Sequence, residues 1–554
     1  MIYKEKLTLP ALFQSSVTKY ADKTSIVFAG EDNFTYGEMQ EEVNLLAEML
    51  LELGISKGDK VAILGSNMPN WGKVFFAVSL VGAVVVPILP DFHSREIHTI
   101  IEHSESKLLF VSEGLYNSVE KETIELLSGV VMMDNFAIIQ KGTPASHLKL
   151  LSSSLPLNIS NFKAVDVDEE DLASIIYTSG TTGNSKGVML THKNLVWTAR
   201  QSRTLQEINP DDRFLSILPL SHTLENTVGF LLPIMYGASV HYLRKPPVAS
   251  VLMAAFKEVS PTVVLSVPLI IEKVYRAKVL PEFQKNVLMR TLSSFAPTRK
   301  ILHRVAAKKL MKNFGGRLRF FGIGGSKLDT NVERFLYEGG FPYAIGYGLT
   351  ETAPLLAGAV GKNRTIGSTG IAMEGVSLRI ADADSITGEG EIQAKGENVM
   401  KGYYKAPDIT NEVFTEDGWF RTGDRGVFDK NKRLHIKGRI KTMIVGASGE
   451  NIYPEEIESV INKMKFVLES LVVEKKGKLV AMIHLNMEEI EEQFKHLKLE
   501  ARQFIATRSE EILKEIHKKV NQEVNKFSRI SQVVLQPIPF ERTPTKKIKR
   551  FLYA

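Results

Sequence analysis

Tyr177-Thr178-Ser179-Gly180-Thr181-Thr182-Gly183-Asn184-Ser185-Lys186-Gly187 is the stretch on which the reading of this chain turns. It follows the apolar run Leu172–Ile176, so it begins where a strand is expected to end. Its glycines let the backbone turn tightly and expose amide N–H groups. The hydroxyls of Thr178, Ser179, Thr181 and Thr182 add donors, and Lys186 adds a positive charge. That combination suits a bound phosphate. The stretch is not a Walker loop: after four intervening residues Gly180 is followed by Ser185, not by a second Gly, and Lys186 is followed by Gly187. A plain surface loop would need no such interleaving of Gly with Thr, Ser and Lys.

On either side, helical and strand-like periods alternate. Leu45, Leu46, Met49, Leu50 and Leu53 recur at helical spacing over residues 36–54, Gly54 follows as a stop, and Lys60–Gly65 reads as a buried strand. The same order recurs around Ile97–Glu102 and Leu108–Val111, and around Val251–Val259 and Val263–Val267. This predicts α/β layers with largely parallel strands. The longest apolar run, Val74 to Leu89, carries Ser79, Gly82 and Pro87 and is shorter than the roughly 20 residues of a membrane span. A buried helix running into a buried strand is expected there.

With 554 residues the chain is too long for one core, which stops growing at roughly 250–300 residues. The texture changes near Gly438–Lys441. Beyond it Ser470–Val473 and Lys478–Leu485 flank a turn at residues 474–477, and a charged helical stretch runs from about Glu488 to Phe527. Within it Ile512, Ile516, Val520 and Val524 recur every fourth residue, and Thr507 with Glu510 forms a candidate capping box. A large N-terminal multi-layer α/β domain over residues 1–438 and a smaller, mobile C-terminal α+β domain over residues 439–554 are expected.

Composition narrows the chemistry. There is no cysteine, which excludes disulfides, zinc–thiolate sites and thiol nucleophiles. Nothing at the N-terminus has signal-peptide organisation, so a cytoplasmic setting is expected. The net charge of +6 favours anionic ligands and a loose peripheral contact with acidic lipid on the inner face of a membrane. No basic and aromatic module points to nucleic acid.

Further motifs follow in order. Leu218-Pro219-Leu220-Ser221-His222-Thr223-Leu224-Glu225 sets a His among apolar residues. Phe321-Gly322-Ile323-Gly324-Gly325-Ser326 reads as a strand ending in a glycine turn, and Gly346-Tyr347-Gly348-Leu349-Thr350-Glu351-Thr352 as another. Both fail the dinucleotide fingerprint, with Lys327 and Glu351 where the third glycine belongs. Asp417–Asp424, Lys437-Gly438-Arg439-Ile440-Lys441, Gly446–Glu458 and the basic tail Arg542–Arg550 complete the series.

The loop and these motifs, in this order, resemble the adenylate-forming superfamily of acyl-CoA synthetases, adenylation domains and firefly luciferase. The His-x-x-Glu of His222–Glu225 and the segment Val267–Tyr275 resemble its long-chain fatty acyl-CoA synthetases. The family usually has Pro where Ser185 stands, a departure that loosens the loop. The resemblance implies ATP, Mg2+ and CoA as cofactors, and assigns roles. Thr178, Ser179, Gly180, Thr181, Thr182, Gly183 and Lys186 would hold the β- and γ-phosphates. Gly324, Gly325 and Ser326 would pack on the adenine with Tyr347 and Gly348. Thr350 would contact the phosphates and Glu351 would ligate Mg2+. Asp424 would take the ribose hydroxyls with Arg439 nearby. His222 would border the acyl and thiol channels, Lys441 would be the hinge, and Gly449 would face the pantetheine arm. Lys547, or its neighbour Lys546 by a one-residue ambiguity, would bridge the α-phosphate and the substrate carboxylate.

The implied reaction is adenylation of a medium- or long-chain fatty acid, followed by transfer to CoA with release of AMP and pyrophosphate. Alternatives on the same scaffold are an acyl-carrier-protein synthetase, an aryl or amino-acid adenylating enzyme, and a non-catalytic nucleotide sensor. Chain length, acceptor thiol and oligomeric state are not legible in the sequence.

Overall fold

The computed structural model describes residues 6–139, 162–178, 185–445, 451–475, 477–494, 501–543 and 548–553. Ser179–Gly183, Gly449, Lys546 and Lys547 lie outside the described residues.

The helical period at residues 36–54 becomes the helix Tyr36–Glu52. Thr35 caps it, accepting from Glu38 N–H while Glu38 accepts from Thr35 N–H. Met39, Val43, Leu46 and Leu50 form its buried face, and Gly54 ends it with φ +78°. The run Val74–Leu89 divides as its glycine and prolines require, into the helix Pro69–Leu80 and the strand Val84–Ile88. Trp71, Phe75 and Phe76 of this helix meet Phe230 ring to ring, with T-shaped contacts at 6.2 and 5.8 Å from Trp71 and Phe75.

Two eight-stranded sheets dominate. In the first, Ile26–Phe28, Ser239–Tyr242, Arg213–Ser216, Val263–Ser266, Phe320–Ile323 and Tyr343–Gly348 run parallel in that spatial order, and Leu355–Ala359 and Ile371–Ala372 close the edge antiparallel. In the second, Val84–Ile88, Lys60–Leu64, Ser106–Val111 and Gly129–Met132 are parallel. The antiparallel hairpin Leu172–Thr178/Lys186–Thr191 lies beside them, with Gly402–Tyr403 paired outside Lys186–Thr191. A four-stranded antiparallel sheet follows, Ser377–Ala381, Gly390–Lys395, Phe420–Phe428 and Leu434–Arg439.

Leu434 and Ile436 pack in a cluster with Trp197, Tyr347 and Leu356. After the 3₁₀ turn Ile440–Thr442 the apolar residues change partners: Ile444 and Ile452 pack with Ile457, Ile483, Ile516 and Val520. This last cluster lies between the helices Pro454–Ile461 and Ala501–Glu523 and the sheet Val467–Lys475, Lys478–Leu485, Gln532–Leu535.

One sequence expectation, the capping box at Thr507, needs correction. The charged stretch after residue 487 is helical over Met487–Phe494 and Ala501–Glu523. The second has begun before Thr507, so Thr507 is an interior helical residue and not a cap. The apolar stripe Ile512, Ile516, Val520 and Val524 fixes the buried face, and the Thr–Glu spacing has no bearing on where the helix starts.

Candidate active site

In open, largely parallel sheets, ligands bind outside the carboxyl ends of the strands. Here those ends gather the motifs. Phe320–Ile323 and Tyr343–Gly348 are neighbours, with Ile323 opposite Ile345, so the turn at Gly324–Ser326 and the segment Gly346–Glu351 emerge side by side. Arg213–Ser216 ends in the loop that carries Ser221 and His222. Asn67 holds this loop, donating to Ser216 Oγ at 2.9 Å and accepting from Leu220 N–H at 2.8 Å. A Cβ at Gly324 would lie 3.1 Å from Leu224, two residues past His222, so the two turns touch. Gly325 has φ +91°, which favours glycine, and Ser326 beside it is exposed. Gly348 is fixed by crowding: a Cβ there would lie 1.7 Å from the Pro354 carbonyl oxygen.

Tyr347, Asp424 and Arg439 form one bonded group. Asp424 is 5% exposed and sits on Phe420–Phe428, opposite Arg439 on Leu434–Arg439. Its Oδ2 accepts from the Tyr347 hydroxyl at 2.8 Å and its Oδ1 meets Arg439 Nε at 2.8 Å. Its backbone N–H donates to Thr422 Oγ1 at 3.1 Å, and Arg439 Nη1 donates to the Thr422 carbonyl at 3.2 Å. Burial, and then the Asp424 charge, hold the Tyr347 phenol far above its usual range, so it is a neutral donor.

Glu351 and Lys186 are joined through Tyr403, a residue the sequence reading missed. Glu351 is half-buried in the 3₁₀ turn Thr350–Thr352, with Thr350 half-buried beside it. Its Oε1 accepts from the Tyr403 hydroxyl at 2.9 Å, and its backbone carbonyl accepts from Met400 N–H at 2.9 Å. Lys186 Nζ lies 5.0 Å from the Tyr403 ring centroid, within cation–π range. Burial and then the Glu351 carboxylate push the Tyr403 phenol up, so it too stays protonated. Arg439 feels the charge of Glu351 as well as that of Asp424, so both groups share one field. The signal for Tyr403 was the short Gly-Tyr-Tyr after Met400-Lys401, but its antiparallel pairing with Val188 and Met189, some 200 residues away, is not written locally.

His222 is half-buried, with its Nδ1 accepting from Leu224 N–H at 3.4 Å. Lys441 is exposed in the 3₁₀ turn after Arg439 and forms no ion pair among the described residues. Glu225, three residues past His222, is 1% exposed in a π-helical turn, and burial pushes its carboxyl up to about 8. Among the described residues its Oε2 has no hydrogen-bond partner, and neither have the buried Asn226 Nδ2 and Thr227 Oγ1. The apolar run Val228–Pro233 that follows contributes Phe230 to the aromatic core around Trp71.

For a divalent cation the described residues offer no group of three or more His, Asp or Glu ligands. What they offer is the single carboxylate of Glu351, with one oxygen held by Tyr403. This fits Mg2+, which is commonly bound by one or two carboxylates together with substrate phosphates.

Residues 13–404 match the AMP-binding enzyme family. The chain is 30% identical over 509 residues to a long-chain-fatty-acid–CoA ligase of Drosophila melanogaster, heimdall, covering 82% of this chain and 72% of that protein. It is 28% identical to the long-chain-fatty-acid–[acyl-carrier-protein] ligase AEE15 of Arabidopsis thaliana, covering 98% of this chain and 84% of that protein. Among solved structures, ATP-bound MatB from Rhodopseudomonas palustris shares the fold with a TM-score of 0.76 at 23% identity, over 98% of each chain. The O-succinylbenzoate CoA synthetase of Bacillus subtilis in complex with AMP does so at 0.74 and 21%, over 98% of this chain and 97% of that one. The chain belongs to the AMP-binding enzyme family, as an AMP-forming acid–thiol ligase.

Proposed function

We propose that this enzyme activates a medium- or long-chain fatty acid as its acyl adenylate and transfers the acyl group to CoA, in the cytoplasm and in peripheral contact with the inner face of a membrane. One observation carries the nucleotide half: a shielded carboxylate with its tyrosine and arginine (Asp424, Tyr347, Arg439) lies next to a cation–tyrosine–carboxylate group (Lys186, Tyr403, Glu351). A carboxylate can accept from two hydroxyls at once, which suits Asp424 to the two hydroxyls of a ribose. The turn Gly324–Ser326 and the strand end Tyr347–Gly348, which emerge side by side, would take the adenine. Lys186, with Thr178, Thr350 and the loop Ser179–Gly183, meets the phosphates.

A carboxylate is a poor electrophile until it gains a leaving group. The acid's oxygen attacks the α-phosphorus, the bond to the β-phosphate oxygen breaks, and pyrophosphate leaves with the electron pair. The protein's share is positioning and charge. Lys547 offsets charge between the α-phosphate and the acid, and Lys186 does so on the β- and γ-phosphates. Mg2+ on Glu351, when bound, supplies further neutralisation of the polyphosphate. Residues 439–554 then turn about Lys441 relative to residues 1–438, Lys547 withdraws, and Gly449 opens the path for a pantetheine thiol past His222. The thiol attacks the acyl carbon, and AMP leaves. The change of core partners across Ile440–Thr442 supports this division.

The fatty acid and the CoA are supported by the Drosophila relative, whereas the Arabidopsis relative favours an acyl carrier protein as acceptor. Pyrophosphate release over a panel of acids, with CoA or a carrier protein as acceptor, tests the reading. Activity rising from short to long acids with CoA supports it. Acetate or benzoate outcompeting every fatty acid removes the fatty-acid substrate, and activity with the carrier protein alone moves the acceptor.

A further inference from the structure

Residues 268–313 carry eleven Lys and Arg against two Glu, a formal +9. The whole chain carries +6, so everything outside this segment is net negative by three. The excess is concentrated on one side of the helix Ala296–Asn313. His303, Ala307 and Leu310 turn inward. Arg304, Lys308, Lys309 and Lys312 point away from that inward stripe, and Lys300 stands near the start of the helix, all exposed. Arg299 is neutralised by Glu338 at 2.8 Å, but the five cations form no ion pair among the described residues. From Lys300 to Lys312 they extend along roughly 18 Å of helix.

Apolar side chains stand among these charges. Ile301 is 60% exposed and Val305 64%, one turn apart on the same face. Phe295, at the start of the helix, is 66% exposed. The preceding helix, Val287–Ser294, buries none of its residues and exposes Val287 and Leu288. Single exposed apolar residues are ordinary. Five over two adjacent helices, set between unpaired cations, are not.

We propose that this face is a docking surface for an anionic lipid bilayer. Cations flanking exposed Ile, Val, Leu and Phe suit a helix that lies in the membrane interface, where charge brings it to acidic headgroups and the apolar side chains enter the acyl boundary. Nucleic acid would use the cations and leave the apolar residues without a partner. A small acidic protein would be expected to meet a compact patch, whereas this one is drawn out along two helices.

The test is co-sedimentation of the full chain with vesicles of phosphatidylcholine alone, or with about a third phosphatidylglycerol. Binding to the acidic vesicles is expected, weakened by salt and at least about tenfold stronger than to the neutral ones. Lys300→Glu/Arg304→Glu/Lys308→Glu is expected to lose that preference. The same charge change at the exposed Lys514, Lys518 and Lys526 on the other side of the Ile440–Thr442 turn is expected to keep most of it. Ile301→Ser/Val305→Ser, which alters only exposed apolar groups, is expected to weaken binding several-fold at any salt concentration. Equal loss in the two charge-reversed variants would reduce the effect to net charge and overturn the proposal. So would unchanged binding by the serine variant together with equal competition by heparin or an acidic protein. The proposal rests on the peripheral membrane contact proposed above; because vesicle binding is read without substrate, its failure removes that contact and leaves the ligase reading standing.

Discussion

Replacing Glu225 by Gln removes a titration while keeping the size and hydrogen-bonding shape of the neutral acid. Glu225 is 1% exposed, and among the described residues its Oε2 has no partner and no cation lies against it; only the Ser216 hydroxyl favours its ionised form, less than burial opposes it. Burial therefore raises its carboxyl from 4.5 to about 8. A group whose pKa is raised on folding contributes stability that is complete below the unfolded value and is lost as pH rises toward the folded value. Each pH unit in that window is worth about 1.36 kcal/mol. From pH 5 to pH 8 the wild-type enzyme thus loses about 4 kcal/mol that Glu225→Gln does not lose. With an unfolding entropy near 2 cal/mol/K per residue over some 400 residues, this is about 5 °C in Tm. The assay is differential scanning calorimetry of both proteins at half-unit pH steps. The two Tm profiles should diverge steadily with rising pH, with Glu225→Gln the more stable at pH 8. Parallel profiles would refute the reasoning, because Glu225 would then not be held neutral by burial.

The acid side carries the opposite sign. His192 and His241 are fully buried and their imidazoles are pushed down to about 4, so each opposes folding by about 2 kcal/mol at pH 5, where the unfolded chain is protonated. Denaturant midpoints should fall between pH 6.5 and pH 4.5, and His192→Asn should flatten that fall. Tyr403→Phe removes the bond to Glu351 Oε1 and should raise the Mg2+ and ATP concentrations needed for half-maximal rate by about tenfold, from a charge-assisted bond worth roughly 1.5–3 kcal/mol; an unchanged Mg2+ titration would remove Tyr403 from the site. Lys547→Ala should slow adenylation by about a hundred- to a thousandfold and still convert a supplied acyl adenylate to thioester, while Gly449→Leu should do the reverse. Loss of adenylation in Lys546→Ala alone would transfer the role to that residue.

Local order was legible wherever a single segment carries the period. The helix Tyr36–Glu52 with its stop at Gly54, and the division of the Val74–Leu89 run, follow from spacing and from where glycine and proline stand. The hairpin Val467–Lys475/Lys478–Leu485 follows in the same way, with Gly477 at φ +72° in its turn. What depends on distant pairing was not legible. Gly402–Tyr403 reaches its place by adding to the edge of Lys186–Thr191, and only that addition puts a tyrosine between Lys186 and Glu351. Asp424 and Arg439 were singled out separately, but their ion pair comes from the register of two antiparallel strands. Glu225 read as part of a polar motif, and its burial depends on the π-helical turn against Gly229, where a Cβ would lie 2.7 Å from the Glu225 carboxyl carbon.

Acid-dependent exchange of labelled pyrophosphate into ATP, measured without any thiol, tests the adenylation chemistry most directly. The enzyme should exchange label only when a suitable fatty acid is present, and the mixture should contain the acyl adenylate by mass spectrometry. Addition of CoA should then release AMP and pyrophosphate in equal amounts. Formation of ADP and phosphate, or exchange that does not depend on the acid, would contradict it.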